Sequence, residues 1–237
     1  MKGYRRRQVV AAAGLAIAGI AGCTGRADDT GTDGGATTGD GEGTTTDAGQ
    51  SLGDHPAARD LGVQPTLGSA DATATIVAFE DPSCSRCRAF ERNTVPRIRD
   101  ELVSSGEARF VVRTYPVVYP WGKPAVQALE ATYARSPDAF WGLFAHYFDE
   151  QDAFSTDNVL TRTEAWLASN ADVDAAAVIA DAESKAYDGA VQTDLDAGEA
   201  AGVGRTTPTV FLFRDGGYVT RASGSVSFEL VSSALGL

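Results

Sequence analysis

Histidine is nearly missing from this chain, and its scarcity removes several kinds of chemistry. Only His55 and His146 occur. A zinc site takes about four nitrogen or sulfur ligands, so no metal site is expected and metal-dependent hydrolysis has no support. No Ser-His-Asp set, phosphate-cradling Gly-rich loop or dinucleotide fingerprint is present. His146 falls on a helical stretch and reads as a partly buried packing residue. Lysine is almost as scarce, at positions 2, 123 and 185 alone, against a formal net charge of −12. That balance argues against nucleic acid as a partner. No Asn-x-Ser/Thr sequon occurs either.

Long apolar runs are also absent outside the first residues. Arg5-Arg6-Arg7 precedes a small, apolar run from Ala11 to Gly22. That run is short for a spanning helix, which needs about 20 residues. The pair Arg6-Arg7, one further residue and two apolar residues resemble a twin-arginine export signal. The run closes on Ile20-Ala21-Gly22-Cys23, which resembles a lipobox, with Cys23 as the lipidated N-terminus of the mature chain. Residues 1–22 are therefore expected to be a leader, an uncleaved membrane anchor being the competing reading. One lipid chain holds a protein only marginally, so firm anchoring calls for a second chain or an ether lipid.

Residues 23–58 are rich in Thr, Gly, Asp and Ala and nearly free of apolar side chains. Such a segment cannot bury enough surface to offset its ordering entropy, and a disordered tether is expected. It would hold a domain roughly 30–35 Å from a membrane. Aspartate-rich, lysine-poor composition resembles adaptation to high salt, where self-repulsion is screened. An ordinary acidic secreted protein is the alternative.

The remainder, residues 59–237, has the length of one domain. β-Branched content predicts a strand over Thr73–Phe79. A helix follows from Cys84 to about Ser104, with a kink near Pro96. Glu107–Tyr115 reads as a second strand. These three elements form a β-α-β unit with parallel strands. From about 123 to 203 the chain is alanine-rich and helical in period, with an aromatic stripe at Phe140, Trp141, Phe144, Tyr147 and Phe148. Ser136, Ser155 and Asp172–Asp174 are predicted helix starts. Thr209–Phe213, the turn Asp215-Gly216-Gly217 and Tyr218–Ala222 predict a hairpin. A last helix runs from a Ser227 cap to Leu235.

Cys84-Ser85-Arg86-Cys87 stands where the first strand gives way to the helix. Two thiols at this spacing on a first helical turn can close a small disulfide ring and reopen it. With Cys23 in the leader, they have only each other as partners. A static disulfide across so short a loop would add little stability. The thiolate is the attacking species. Unpaired N–H groups at the helix N-terminus, the backbone N–H and thiol of Cys87 as donors, and the cationic Arg86 are all expected to lower the pKa of Cys84. Glu80 and Asp81 are expected to oppose them. Cys84 is the expected exposed nucleophile and Cys87, one turn in, the buried resolving thiol. Trp121, at the end of the second strand, is a candidate for surface recognition, though packing is the plainer reading.

Cys84-Ser85-Arg86-Cys87 after a strand, joined to Gly202-Val203-Gly204-Arg205-Thr206-Thr207-Pro208-Thr209-Val210 before a hairpin, resembles the thioredoxin superfamily. The helical stretch between them resembles its DsbA-like branch. The resemblance extends from about Thr66 to the end of the chain. It implies an α/β thioredoxin fold, a central mixed sheet flanked by helices, with a helical insertion over about 123–203. It implies a thiol–disulfide oxidoreductase acting on cysteine pairs of exported proteins, with no dissociable cofactor. Ser85 and Arg86 would tune the redox poise. Thr207 and a cis Pro208 would receive the substrate chain, and a membrane redox partner would exchange electrons with the pair. Ser-Arg between the cysteines matches neither the Gly-Pro of thioredoxins nor the Pro-His common in DsbA proteins. Disulfide formation is the expected direction. Reductase, isomerase or non-catalytic binding lipoprotein are the alternatives.

Overall fold

A computed structural model describes residues 49–237. The leader, Cys23 and most of the tether lie outside the described residues. Five strands form one mixed sheet: β1 (Thr66–Leu67), β2 (Ala74–Glu80), β3 (Ala108–Thr114), β4 (Thr209–Arg214) and β5 (Gly217–Ser223). Their spatial order is β1-β3-β2-β4-β5. β2 and β3 run parallel, as the β-α-β reading requires, and every other pairing is antiparallel. The two-residue β1 has no periodic signal in the sequence.

The central strand is buried on both faces, and its side chains alternate between two apolar layers. Ile76 and Ala78 join Phe90, Ile98, Phe110 and Leu129 on one side. Val77 and Phe79 join Val111, Ala197, Phe211 and Phe213 on the other. The first layer is covered by α1 (Ser85–Asn93), a π-helical turn at Ile98–Val103 and α8 (Phe228–Leu235), whose cap is Ser227 as expected. Helix α1 stops at Asn93, before the short α2 (Val95–Arg97), so the interruption falls ahead of Pro96.

The helical stretch resolves into α3 (Gly122–Tyr133), α4 (Pro137–Asp149), α5 (Val159–Asn170), α6 (Ala175–Ser184) and α7 (Asp188–Ala200). Ser136 and Asp174 cap α4 and α6 through their side chains. Ser155 does not start α5. Its N–H donates to Asn158 Oδ1 at 2.8 Å, and this turn delays the helix to Val159. The break between α6 and α7 was not legible, because Lys185 takes a left-handed conformation at φ 54° inside an otherwise helical pattern. The aromatic stripe of α4 is core, with Phe140, Phe144, Tyr147 and Phe148 fully enclosed.

The expected end of the tether needs correction, since the domain begins before residue 59. Leu52 N donates to Gly216 O at 2.7 Å and Tyr218 N to Gln50 O at 2.9 Å, which adds this segment to the β5 edge. His55 is not a tether residue. Its ring is buried against Phe211, Phe213 and Tyr218, with centroids 5.2, 5.1 and 4.9 Å away. The ring packs among aromatics, and one such anchor is invisible in a low-complexity composition.

Candidate active site

The site is built where β2 ends and α1 begins. Cys84 is the N-cap of α1, in extended conformation, and its N–H donates to Asp81 O at 2.9 Å. The helix thus begins at the sulfur, with its first N–H groups free to face it. Both cysteines are free thiols. Pro208 follows a cis peptide bond from Thr207. That loop lies against the pair, with the Cys84 thiol 3.3 Å from Thr207 O. The fold therefore brings together Cys84, Cys87, Thr207 and Pro208, which are 123 positions apart in the case of Cys84 and Thr207. Ser85, the first residue of α1, is exposed and lines a cavity with Ser83, Tyr119 and Phe154.

The two sulfurs differ in charge more than in exposure. Cys84 is only 3 % exposed, so the expectation of an open nucleophile is corrected. Its pKa is nevertheless lowered to about 5. The largest cause is a hydrogen bond from the Cys87 thiol, followed by Thr207 and the backbone N–H groups of Cys87 and Arg86, all working against burial. The Thr207 hydroxyl is buried and otherwise unpartnered, and as a donor it suits a thiolate. Cys87 is fully buried and its pKa is pushed well up, first by burial and then by its bond to Cys84 and the nearby Glu80.

Arg86 acts otherwise than charge alone suggests. Its backbone N–H helps the Cys84 thiolate, but its guanidinium is not among the causes of the lowered pKa. The side chain lies along the β5–α8 loop, where a Cβ on Gly224 would stand 3.9 Å from its Nη1.

Asp81 does not oppose the thiolate either. Its carboxylate accepts from the N–H groups of Ser83, Val117 and Val118 at 2.8, 2.8 and 2.7 Å. The Ser83 hydroxyl donates to it at 2.6 Å and accepts from Tyr119 N at 3.0 Å. These bonds fasten the β3–α3 loop to the cysteine turn. Gln151, beyond α4, donates to Pro82 O at 2.8 Å and Cys84 O at 3.1 Å. Arg88 pairs with Asp152 at 2.8 Å beside it. The helical region thus buttresses the turn from the far side. Trp121 belongs to this packing, stacked on Phe154 at 5.4 Å and buried, with one edge on the cavity beside Ser83 and Ser85.

Beneath the pair lies an acid cluster whose function the sequence did not reveal. Glu80 is fully buried and neither carboxyl oxygen has a donor. Burial, and then Glu91, push its pKa well up. Glu91 is raised to about 7, again chiefly by burial, and one of its oxygens also lacks a donor. A proton held between the two carboxyls lets them pair. Glu91 stands four residues after Cys87, on the same helical face, which is the one signal the sequence carried.

Among the described residues no group of three His, Cys, Asp or Glu is placed to hold a metal ion. None of their helices is long and apolar enough to cross a membrane.

The chain is 30% identical over 88 residues to disulfide bond formation protein D of Bacillus subtilis, a match covering 37% of this chain and 40% of that protein. It thus spans about two fifths of the length of the curated relatives it matches. The crystal structure of oxidised BdbD from Bacillus subtilis superposes with a TM-score of 0.67 at 20% identity, over 74% of this chain and 92% of that one. Alpha-DsbA1 of Wolbachia pipientis gives 0.63 at 16% identity, over 73% and 89%. DsbA of Chlamydia trachomatis gives 0.62 at 21% identity, over 73% and 88%. At these identities the superpositions speak for the fold. A family profile described as "Thioredoxin" matches residues 60–226. That span takes in the cysteine pair, the helical region and the cis-proline loop, and on it this chain belongs to the thioredoxin family, with the fold of its DsbA-like members.

Proposed function

We propose that this protein is a thiol–disulfide oxidoreductase that forms disulfides in other proteins. The observation that carries the reading is geometric: Cys84 caps α1 with its thiol 3.3 Å from Thr207 O in the cis-proline loop, and Cys87 is buried one turn behind it. With Cys84 and Cys87 joined, a substrate thiolate attacks Cys84 Sγ. The Cys84–Cys87 bond breaks, a mixed disulfide forms, and the pair of electrons leaves on Cys87, which takes a proton from Glu80. A second substrate thiolate then attacks the substrate's own sulfur. Cys84 departs as a thiolate held by Cys87, Thr207 and backbone N–H groups. The substrate has lost two electrons and the protein is reduced. A membrane redox partner would restore the disulfide.

A low Cys84 pKa stabilises the reduced form at neutral pH, which makes the disulfide a better oxidant. From pH 7 to a pKa of about 5 the effect is on the order of 3 kcal/mol. Substrate chain would lie against Thr207 and Pro208 and pair through the backbone. The leader reading places this activity outside the membrane, with Cys23 carrying the lipid. Substrates are then cysteine pairs of exported proteins. Retention of the Cys23→Ser protein in membranes would remove that placement.

Oxidised protein mixed with a dithiol peptide should yield cyclised peptide and reduced Cys84 and Cys87. Cys84→Ser should be inert, and Cys87→Ser should trap a mixed disulfide when given a peptide disulfide. Cyclisation by Cys84→Ser at the wild-type rate would overturn the assignment.

A further inference from the structure

Pro116, Val117, Tyr119, Lys123, Leu195 and Arg205 line a cavity of about 400 Å³ on the active-site side of the β3–α3 loop. Tyr119, 57 % exposed, also borders the cavity that holds Ser83 and Ser85. Arg205 stands two positions before Thr207, whose carbonyl accepts from Cys84. Through Tyr119 the groove adjoins the cavity at the cysteine turn, and through Arg205 it adjoins the cis-proline loop. It continues past Pro116, Lys123 and Leu195 into a second cavity of about 390 Å³ that includes Leu160, Val191 and Lys185.

The charge of this groove departs from that of the chain. Lysine is found at only three positions of a chain with net charge −12, and both lysines among the described residues line it. Arg205 is anchored by donation from Nη2 to Val117 O at 3.2 Å, which leaves its other donors facing out. Among the described residues no carboxylate lies within ion-pair distance of Lys123. The acids of the second cavity are Glu183 and Asp188, and Asp188 already accepts from Gln127 at 2.7 Å. Of the residues that line the first cavity, the charged ones are Lys123 and Arg205.

We propose that this groove receives an acidic, extended segment of the substrate polypeptide next to its reactive cysteine. An aliphatic side chain would sit on Val117 and Leu195, and carboxylates would meet Lys123 and Arg205. The chain's net charge of −12 opposes the approach of an acidic segment, so these cations set its register as well as its approach. The proposal rests on the exchange activity proposed above. It adds the class of substrate.

The test uses two synthetic dithiol peptides that differ only in flanking sequence, Asp-Leu-Asp or Lys-Leu-Lys. Oxidised wild-type protein at low ionic strength should prefer the acidic peptide about tenfold in kcat/KM, as two exposed charge pairs allow. The preference should fade with added salt and reverse in K123E/R205E. An unchanged ratio in that variant, with both peptides cyclised, would overturn the groove. Serine versions of the peptides, followed by fluorescence anisotropy, separate the two readings. If the acidic serine peptide binds wild type and not K123E/R205E while no dithiol is oxidised, exchange fails and the groove stands. Equal binding of acidic and basic serine peptides removes the groove whatever the redox result.

Discussion

Two buried polar clusters lie side by side at the ends of neighbouring strands, where Glu80 of β2 pairs in register with Thr114 of β3. The β3 cluster is the better satisfied of the two, although Arg113 Nη2 lacks an acceptor and burial raises Glu130, which accepts from Thr114 Oγ1 at 3.3 Å, to about 8. Arg113 gives Nε to Ala57 O at 2.9 Å and Nη1 to Asp194 at 2.7 Å. Asp194 also accepts from Thr114 N at 2.8 Å, which ties α7 to the sheet. The β2 cluster is left incomplete, with Glu80 lacking donors and two thiols pushed in opposite directions. Satisfied groups hold their charges and fix the fold, whereas unsatisfied ones keep protons ready to move. Arg113 keeps Asp194 ionised near neutrality, at about 6 despite burial. Glu80 has no cation beside it, so burial wins.

Breaking the β3 cluster should have the largest effect. Asp194→Ala leaves a buried guanidinium without its counter-ion and should cost about 3–5 kcal/mol in urea unfolding. The double variant R113M/D194L should recover much of that loss. A midpoint for D194A equal to wild type would erase the contrast between the clusters.

Glu80→Gln should do the reverse, sparing stability and harming chemistry. Amide for carboxyl keeps the volume but removes the proton that Cys87 takes and returns. Turnover of a dithiol peptide should fall by about a hundredfold, within the range for a positioned acid–base group. Loss of stability with unchanged turnover would make Glu80 a structural residue like Asp194.

The smallest effect is expected from Arg86→Gln, because its guanidinium lies along the β5–α8 loop. Thiolate absorbance should titrate near pH 5 in both proteins, within about half a unit of one another. The sign for stability follows from the lowered pKa. In the reduced protein the Cys84 contribution is full above the ordinary value of 9.0, shrinks as pH falls, and is gone below about 5. The gap between reduced and oxidised unfolding free energies should follow that course. A Cys84 titration moved upward by a full unit in R86Q would restore Arg86 as the redox tuner.

The strand patterns of β2, β3, β4 and β5 and the cap of α8 were legible because alternation and capping are local. The cysteine pair and Thr207-Pro208 were legible as motifs. Glu80 was noticed only as a charge near the thiols, since no neighbour in sequence says that burial will keep it protonated. One partner of Cys84, Thr207, came from a loop 123 positions away. Gln151 gave no signal, as a glutamine after a helix looks like any solvated residue. His55 and Lys185 escaped because each takes an unusual role at a single position, which composition and period average away.

By itself the sequence determined which atoms can react: two thiols at a helix start, a proline that can sit in a tight loop, and too few histidines for metal hydrolysis. Local spacing is enough for that, because the helix N-terminus and the C-x-x-C ring close within a few residues. Only the tertiary structure decided how the atoms differ. It laid the Arg86 side chain along the β5–α8 loop, put Thr207 against Cys84, sealed Cys87 beside Glu80, and gathered Lys123, Lys185 and Arg205 along one groove. A pKa and a groove both depend on what is excluded from water and what stands within a few ångströms, and neither is a property of neighbours in the chain.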